Sequence, residues 1–226
     1  MTQYLTPKKA IVVLSGGMDS AAALGLTLVE GYNVIGALHF QYGSKHNARE
    51  YIAFMKVARH YKVPEYLITL PFIGQHFKSD LLKSGGEIPE GHYEDESMKR
   101  TVVPFRNGIM LAIAAGFAES VGAKMVVLGN HFGDHAIYPD CREDFAKAMR
   151  KAIALGTYAG IELHCPFQEM GKNDIALIGN SIEVPFHLTW TCYKGGENHC
   201  GKCGSCTERK EAFKLSGVTD PTVYEE

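Results

Sequence analysis

Between Lys9 and Ser15 the chain runs Ala-Ile-Val-Val-Leu without a polar interruption. Such a run reads as a strand buried on both faces, and a strand of that kind belongs in a parallel sheet covered by helices. The next segments keep the rhythm. Residues 20–30 predict a helix ending at Gly31, residues 33–40 a strand, and residues 65–70 another strand. Residues 45–61 predict a helix with Ile52, Met55 and Ala58 on one face. This order predicts an α/β fold with an open, mainly parallel sheet and helices on both faces. Further on, helices are expected at 104–121, 142–155 and 173–182, and strands at 124–129 and 161–164. Residues 72–98 break the pattern with Gly85, Gly86, Pro89 and the acidic cluster Glu94, Asp95, Glu96, and are read as a long loop over the top of the sheet.

The first strand runs into Ser15-Gly16-Gly17-Met18-Asp19-Ser20. A glycine-rich strand-to-helix turn lets backbone N–H groups converge on an anion, and the helix N-terminus adds its positive end. Gly16 and Gly17 supply the conformational freedom, while Ser15 and Ser20 add hydroxyls. Asp19 is odd beside a phosphate, and fits either as a helix cap or as a partner for magnesium. The lysine of the GxxxxGK[ST] phosphate loop is missing.

Cys192, Cys200, Cys203 and Cys206 form C-x7-C-x2-C-x2-C with glycines between them. Four thiolates in tight turns complete a closed tetrahedral zinc site with no open position for water. An iron–sulfur cluster competes, although Thr207 stands where a ferredoxin run would continue. Disulfides are the third reading, and the weakest for a cytoplasmic protein. His199 is placed beside the cluster or in solvent; Cys141, in a polar stretch after a strand, is either a site-lining residue or a buried apolar one. The N-terminal residues lack a signal-peptide pattern and no segment approaches the roughly 18–20 apolar residues of a membrane span, so a cytoplasmic location is expected. The formal net charge of -2 and the absence of a basic run argue against a nucleic-acid or membrane surface.

The turn resembles the SGGxDS loop of the N-type ATP pyrophosphatases, the PP-loop superfamily with the adenine nucleotide alpha hydrolase-like fold. In these proteins ATP is cleaved between its α- and β-phosphates and AMP passes to a substrate oxygen. Together with "YGSKH" at 42–46, "VPFRN" at 103–107, "YPDCR" at 138–142, "TWTCY" at 189–193 and "HCGKCGSCTERKEAF" at 199–213, it makes nearly the whole chain similar to the 7-cyano-7-deazaguanine (preQ0) synthase family of queuosine biosynthesis. The resemblance implies an ATP-dependent carbon–nitrogen ligase. It would take 7-carboxy-7-deazaguanine and ammonia to the nitrile by two successive adenylations, first of the acid and then of the amide.

On that resemblance, residues 1–185 form the domain that binds ATP and deazaguanine, and residues 186–226 a zinc segment with a terminal helix. Ser15, Gly16, Gly17, Met18, Asp19 and Ser20 would hold ATP, its pyrophosphate and Mg2+; one structural Zn2+ per chain would bind the four cysteines. Lys172 could supply the cation that the loop lacks, and Arg106, beside Asn107, could pair with phosphate or the substrate carboxylate. Tyr42, Lys45, Asp140 and Arg142 would line the deazaguanine pocket, with the carboxylate taking the guanine-type edge and the arginine forking onto the acid. Of His39, His46, His131 and His135, all near strand ends, His46 is the expected proton acceptor. A homodimer is implied by resemblance alone.

The chain departs from the family pattern at Ser44-Lys45, Phe105 and Ala136-Ile137, where Gln-Arg, Gly and Ser-Gly are usual. Lysine loses the bidentate fork of arginine, and the larger side chains are expected to reshape the pocket. Alternatives are therefore a divergent enzyme that stops at an amide or conjugates another amine, a tRNA-modifying adenylase or thiolase, and a nonenzymatic zinc-stabilised binding module.

Overall fold

The computed structural model describes residues 7–131 and 137–225. Five strands, β1 (Lys9–Val13), β2 (Asn33–Gln41), β3 (Glu65–Thr69), β4 (Met125–Leu128) and β5 (Glu162–His164), form one sheet in the order β3-β2-β1-β4-β5. Every pairing is parallel. The helices are α1 (Met18–Val29), α2 (Asn47–His60), α3 (Pro71–His76), α4 (Arg106–Ser120), α5 (Glu143–Gly156), α6 (Lys172–Ser181) and α7 (Gly204–Ser216). Each helix and strand placed from the sequence in residues 1–182 lies within two residues of an observed element. Among the described residues, no helix is long and apolar enough to cross a membrane.

β1 is central because both of its faces are apolar. Ala10, Val12 and Leu14 enter one core with residues of α1, α2 and α6, whereas Ile11 and Val13 enter the other with residues of α4 and α5. That alternation is the period of two along a strand. The strand order reverses between β1 and β4, so the chain diverges to opposite sides there and leaves a crevice at their C-terminal ends. Gly129 keeps the crevice tight, since a Cβ there would lie 2.8 Å from the Asp19 carbonyl oxygen.

The segment read as a long loop is shorter and better packed than the sequence suggests. It begins with α3 and ends in a 3-10 turn at Glu96–Thr101, and Leu81, Leu82, Ile88 and Met98 are buried. These apolar residues follow neither helical nor strand spacing, so periodicity could not reveal them. Its far end pairs with the cysteine segment through the Gly91 N–H, which donates to the Lys202 carbonyl, and a bridge between Glu90 and Cys203.

The C-terminal segment wraps around the C-terminal end of the sheet. Phe186 and Phe213 join the core beneath α1 and α2, whereas the four cysteines join the opposite one. Arg209 fastens the wrap. Fully buried, it donates to Thr189 Oγ1 at 2.8 Å, Thr191 Oγ1 at 3.1 Å and the Phe186 carbonyl at 3.2 Å, and pairs with Asp220 at 3.3 Å. Losing one partner of such a network leaves buried polar groups unsatisfied. Arg209→Met should therefore destabilise the fold by about 3–5 kcal/mol, read from urea unfolding.

Candidate active site

The turn after β1 is short enough that α1 begins at Met18, with Gly17 as its N-cap. Asp19 thus lies in the first helical turn, where the dipole favours a carboxylate; it is not the cap. Within the turn the Gly17 N–H donates to Ser15 Oγ at 3.1 Å and Ser20 Oγ donates to the Gly17 carbonyl at 3.1 Å. Gly16 has φ 94°, and a Cβ on it would lie 2.6 Å from both the Glu50 carbonyl oxygen and the Phe54 nitrogen of α2. The Trp190 N–H holds Gly16 from the other side, donating to its carbonyl at 2.9 Å. Gly16 is therefore the wedge that seats the turn, while Ser15, Gly17, Met18, Asp19 and Ser20 face the cleft.

The cation absent from the turn arrives from α6. Lys172 Nζ lies 3.2 Å from Asp19 Oδ2 and 2.6 Å from Glu208 Oε2 on α7. Asp19 Oδ1 is buried with no hydrogen-bond partner among the described residues. His131, after β4, points Nε2 toward the same pair, 3.9 Å from Asp19 and 3.7 Å from Glu208.

The other half of the cleft is aromatic and carries one strong cation. Arg106, the first residue of α4, donates to the Tyr42 hydroxyl at 3.1 Å. Burial would lower its pKa, but Tyr42, Tyr193 and Asp140 outweigh that and hold it well above the ordinary value. His46 Nε2 lies 3.3 Å from Glu50 Oε2, with its ring 5.4 Å from that of Tyr193. Burial pushes the Glu50 carboxyl up, yet His46, His39 and Arg106 prevail and keep it below the usual carboxylate range. His39, stacked on Phe54 at 4.9 Å, accepts or donates at the Leu14 carbonyl and is held down chiefly by burial. Tyr138 and Tyr193 close this end, their hydroxyls 3.4 Å apart.

Several expected residues lie elsewhere. Lys45 turns away from the cleft and donates to the carbonyls of Asp80, Gly85 and Gly86, pinning the 79–86 loop. Asp140 Oδ2 accepts the Asn107 N–H at 2.8 Å and so caps α4, compensating for the left-handed Phe105 at φ 53°. Arg142 is an exposed residue at the start of α5 and does not line the cleft. Neither does Phe105, which is exposed; Ile137 sits in a smaller cavity behind Tyr138. The departures from the family pattern thus leave the cleft wall unaltered, contrary to the expectation that they reshape it. His135 and Ala136 fall outside the described residues. Cys141 lines the cleft, held by Asn107 and by Asn130 and Gln168 bonds to its carbonyl.

Glu50 and Glu208 were not picked out from the sequence. Glu50 carried a signal, since it stands four residues after His46 on one helix face; Glu208, two residues past Cys206, carried none.

The Sγ atoms of Cys192, Cys200, Cys203 and Cys206 lie within 4.8 Å of one another and are buried. The Cys203 and Cys206 thiols donate toward Cys192 and hold it down as the thiolate, while Cys203 is pushed up to about 12 by that same neighbour. So many buried thiolates can coexist only around a cation, and the donor set fits one. His199 is outside this set. Its Nε2 accepts the Thr191 N–H at 3.1 Å and its ring stacks 4.2 Å from Trp190, in the wall of the cleft.

Fold and site together define an α/β protein with an anion-binding turn at the switch of a parallel sheet and a cysteine-clustered segment completing the cleft. The family described as "Queuosine biosynthesis protein QueC" matches residues 9–217, and the chain belongs to it. It is 53% identical over 219 residues to the 7-cyano-7-deazaguanine synthase of Porphyromonas gingivalis, covering 96% of this chain and 98% of the relative. The synthases of Desulfotalea psychrophila (54% over 215 residues, 95% and 98% covered) and Caldicellulosiruptor bescii (46% over 217, 96% and 97%) are similar throughout. A solved ammonia-dependent NAD synthetase from Campylobacter jejuni aligns at TM-score 0.47 and 14% identity, over 82% of this chain and 69% of that one.

Two outcomes follow from the geometry. Gly16→Ala should destabilise by about 2 kcal/mol or more, because both φ and space oppose a side chain, whereas Gly17→Ala should cost under about 1 kcal/mol in thermal unfolding. The lowered His39 pKa makes its contribution to stability complete above the unfolded value near 6.5 and lost as pH falls through the folded value. Urea midpoints should accordingly fall on acidification from pH 7 to 5, less steeply in His39→Gln.

Proposed function

We propose that the protein makes 7-cyano-7-deazaguanine from 7-carboxy-7-deazaguanine, ammonia and ATP by adenylating first the acid and then the amide. The observation that carries this reading is one cleft with two unlike halves. An anion-binding turn faced by Lys172 stands beside an aromatic pocket holding Arg106, Tyr42 and Tyr193. The turn suits the β- and γ-phosphates, and Lys172 the charge that grows on departing pyrophosphate. Arg106 suits the carboxylate of a flat heterocycle stacked among tyrosines.

A carboxylate oxygen attacks the α-phosphorus, pyrophosphate leaves, and the acyl-AMP so formed is a far better electrophile than the acid. Ammonia then displaces AMP to give the amide. Its oxygen is adenylated in turn, and loss of that oxygen with both amide protons leaves the nitrile. His46, held by Glu50, is placed to accept a proton. The unpartnered Asp19 Oδ1 suits a Mg2+ ion, which would offset phosphate charge. Four thiols without an open position suit zinc with a purely structural part. An enzyme that stops at the amide is disfavoured because Lys45, Phe105 and Ile137, where the chain departs from its family, lie outside the cleft.

Incubation with the acid, ATP, Mg2+ and ammonium should give the nitrile by mass spectrometry, with AMP and pyrophosphate as coproducts. Amide alone, or ADP, would contradict the reading. Asp19→Ala and Lys172→Ala should each slow substrate-dependent pyrophosphate release by about 100-fold or more.

A further inference from the structure

Behind the Tyr138–Tyr193 pair lies a second, smaller cavity, bounded by Tyr93, Met98, Tyr138, Tyr193, Ser205 and Glu208. The last four also line the main cleft apart from it, so the two spaces share a wall. It is large enough for one molecule of about the size of water. Gly204 keeps it open, since a Cβ there would lie 2.8 Å from Met98 Sδ. Nucleotide or deazaguanine cannot enter a space of this size.

We propose that this cavity is the subsite through which ammonium reaches the cleft, and that Glu208 accepts its proton. The inference rests on the proposed reaction, which needs a water-sized nitrogen nucleophile. The walls select for a small cation. Tyrosine ring faces attract one, and the Glu208 carboxylate, whose side chain is 9% exposed, supplies charge. A negative field is already felt there: burial, then Glu211 and Glu208, push the Tyr93 phenol up to about 12. Glu208 straddles the wall, with Oε2 on Lys172 and Oε1 facing His131. It therefore reaches both the incoming nitrogen and the adenylation half of the cleft.

Glu208 takes one proton from ammonium as the nitrogen lone pair bonds to the acyl carbon. The carbon–oxygen bond to AMP then breaks and the nitrogen gives up a second proton. Acyl-AMP and ammonium thus yield amide, AMP and two protons.

The test measures amide and nitrile formation against ammonium and against methylamine, beside ATP–pyrophosphate exchange driven by the acid with no amine present. Tyr93→Ala, which opens the outer wall, should raise the methylamine-to-ammonium rate ratio about tenfold with exchange retained. Met98→Ala on another wall repeats the test should the first variant fold poorly. Glu208→Gln should slow amide formation far more than exchange and shift its pH profile. If the wall variants keep the wild-type amine ratio, or Glu208→Gln slows exchange and amide formation equally, the cavity holds only water and the subsite is refuted. If wild-type protein exchanges pyrophosphate but never consumes ammonium, the underlying reaction fails instead.

Discussion

A buried ammonium between two carboxylates organises this molecule. Lys172 opens α6, Asp19 lies in the first turn of α1, and Glu208 is on α7, so three elements distant in sequence must meet at one point. None of the charges is tolerable alone at such burial, which makes their meeting a condition of the fold as much as of the site. The crossing of the sheet at β1 and β4 provides the place, and Gly129 the closeness. A lysine missing from the turn is thereby restored in space, on a helix that starts more than 150 residues later.

The cysteine segment is the second party to that meeting. It delivers Glu208, Trp190, Thr191 and Tyr193 to the cleft and holds the turn through the Trp190–Gly16 hydrogen bond. Arg209 ties its two arms together from within, and the 79–98 stretch braces it from outside. A cation on the four thiols would fix the base of this wall, although no thiol need touch a substrate. Stability and chemistry are in this respect the same problem.

Local signals carried most of the fold. The unbroken Ala10–Leu14 run, the helix spacings and the glycine turn each depend on neighbouring residues, and each led to an element within two residues of its place. The cysteine spacing likewise announced a cluster, and Lys172 and Arg106 were found in the cleft as expected. What failed depended on contacts at long range. Lys45 is drawn to the carbonyls of a loop 35 to 41 residues away, and Asp140 to a helix start 33 residues back. Charge and motif position gave no sign of either. Glu208 was hidden because its neighbours read as zinc ligands, and the apolar residues of 79–98 because they pack without a period.

The central claim is that the cysteine-clustered segment completes the adenylating cleft, and the most direct test follows metal and chemistry in one sample. Protein stripped stepwise with a chelator would be assayed for bound zinc and for ATP–pyrophosphate exchange driven by 7-carboxy-7-deazaguanine. The account predicts that exchange falls in proportion to the zinc lost. Exchange at the initial rate in protein that has lost its zinc would contradict it.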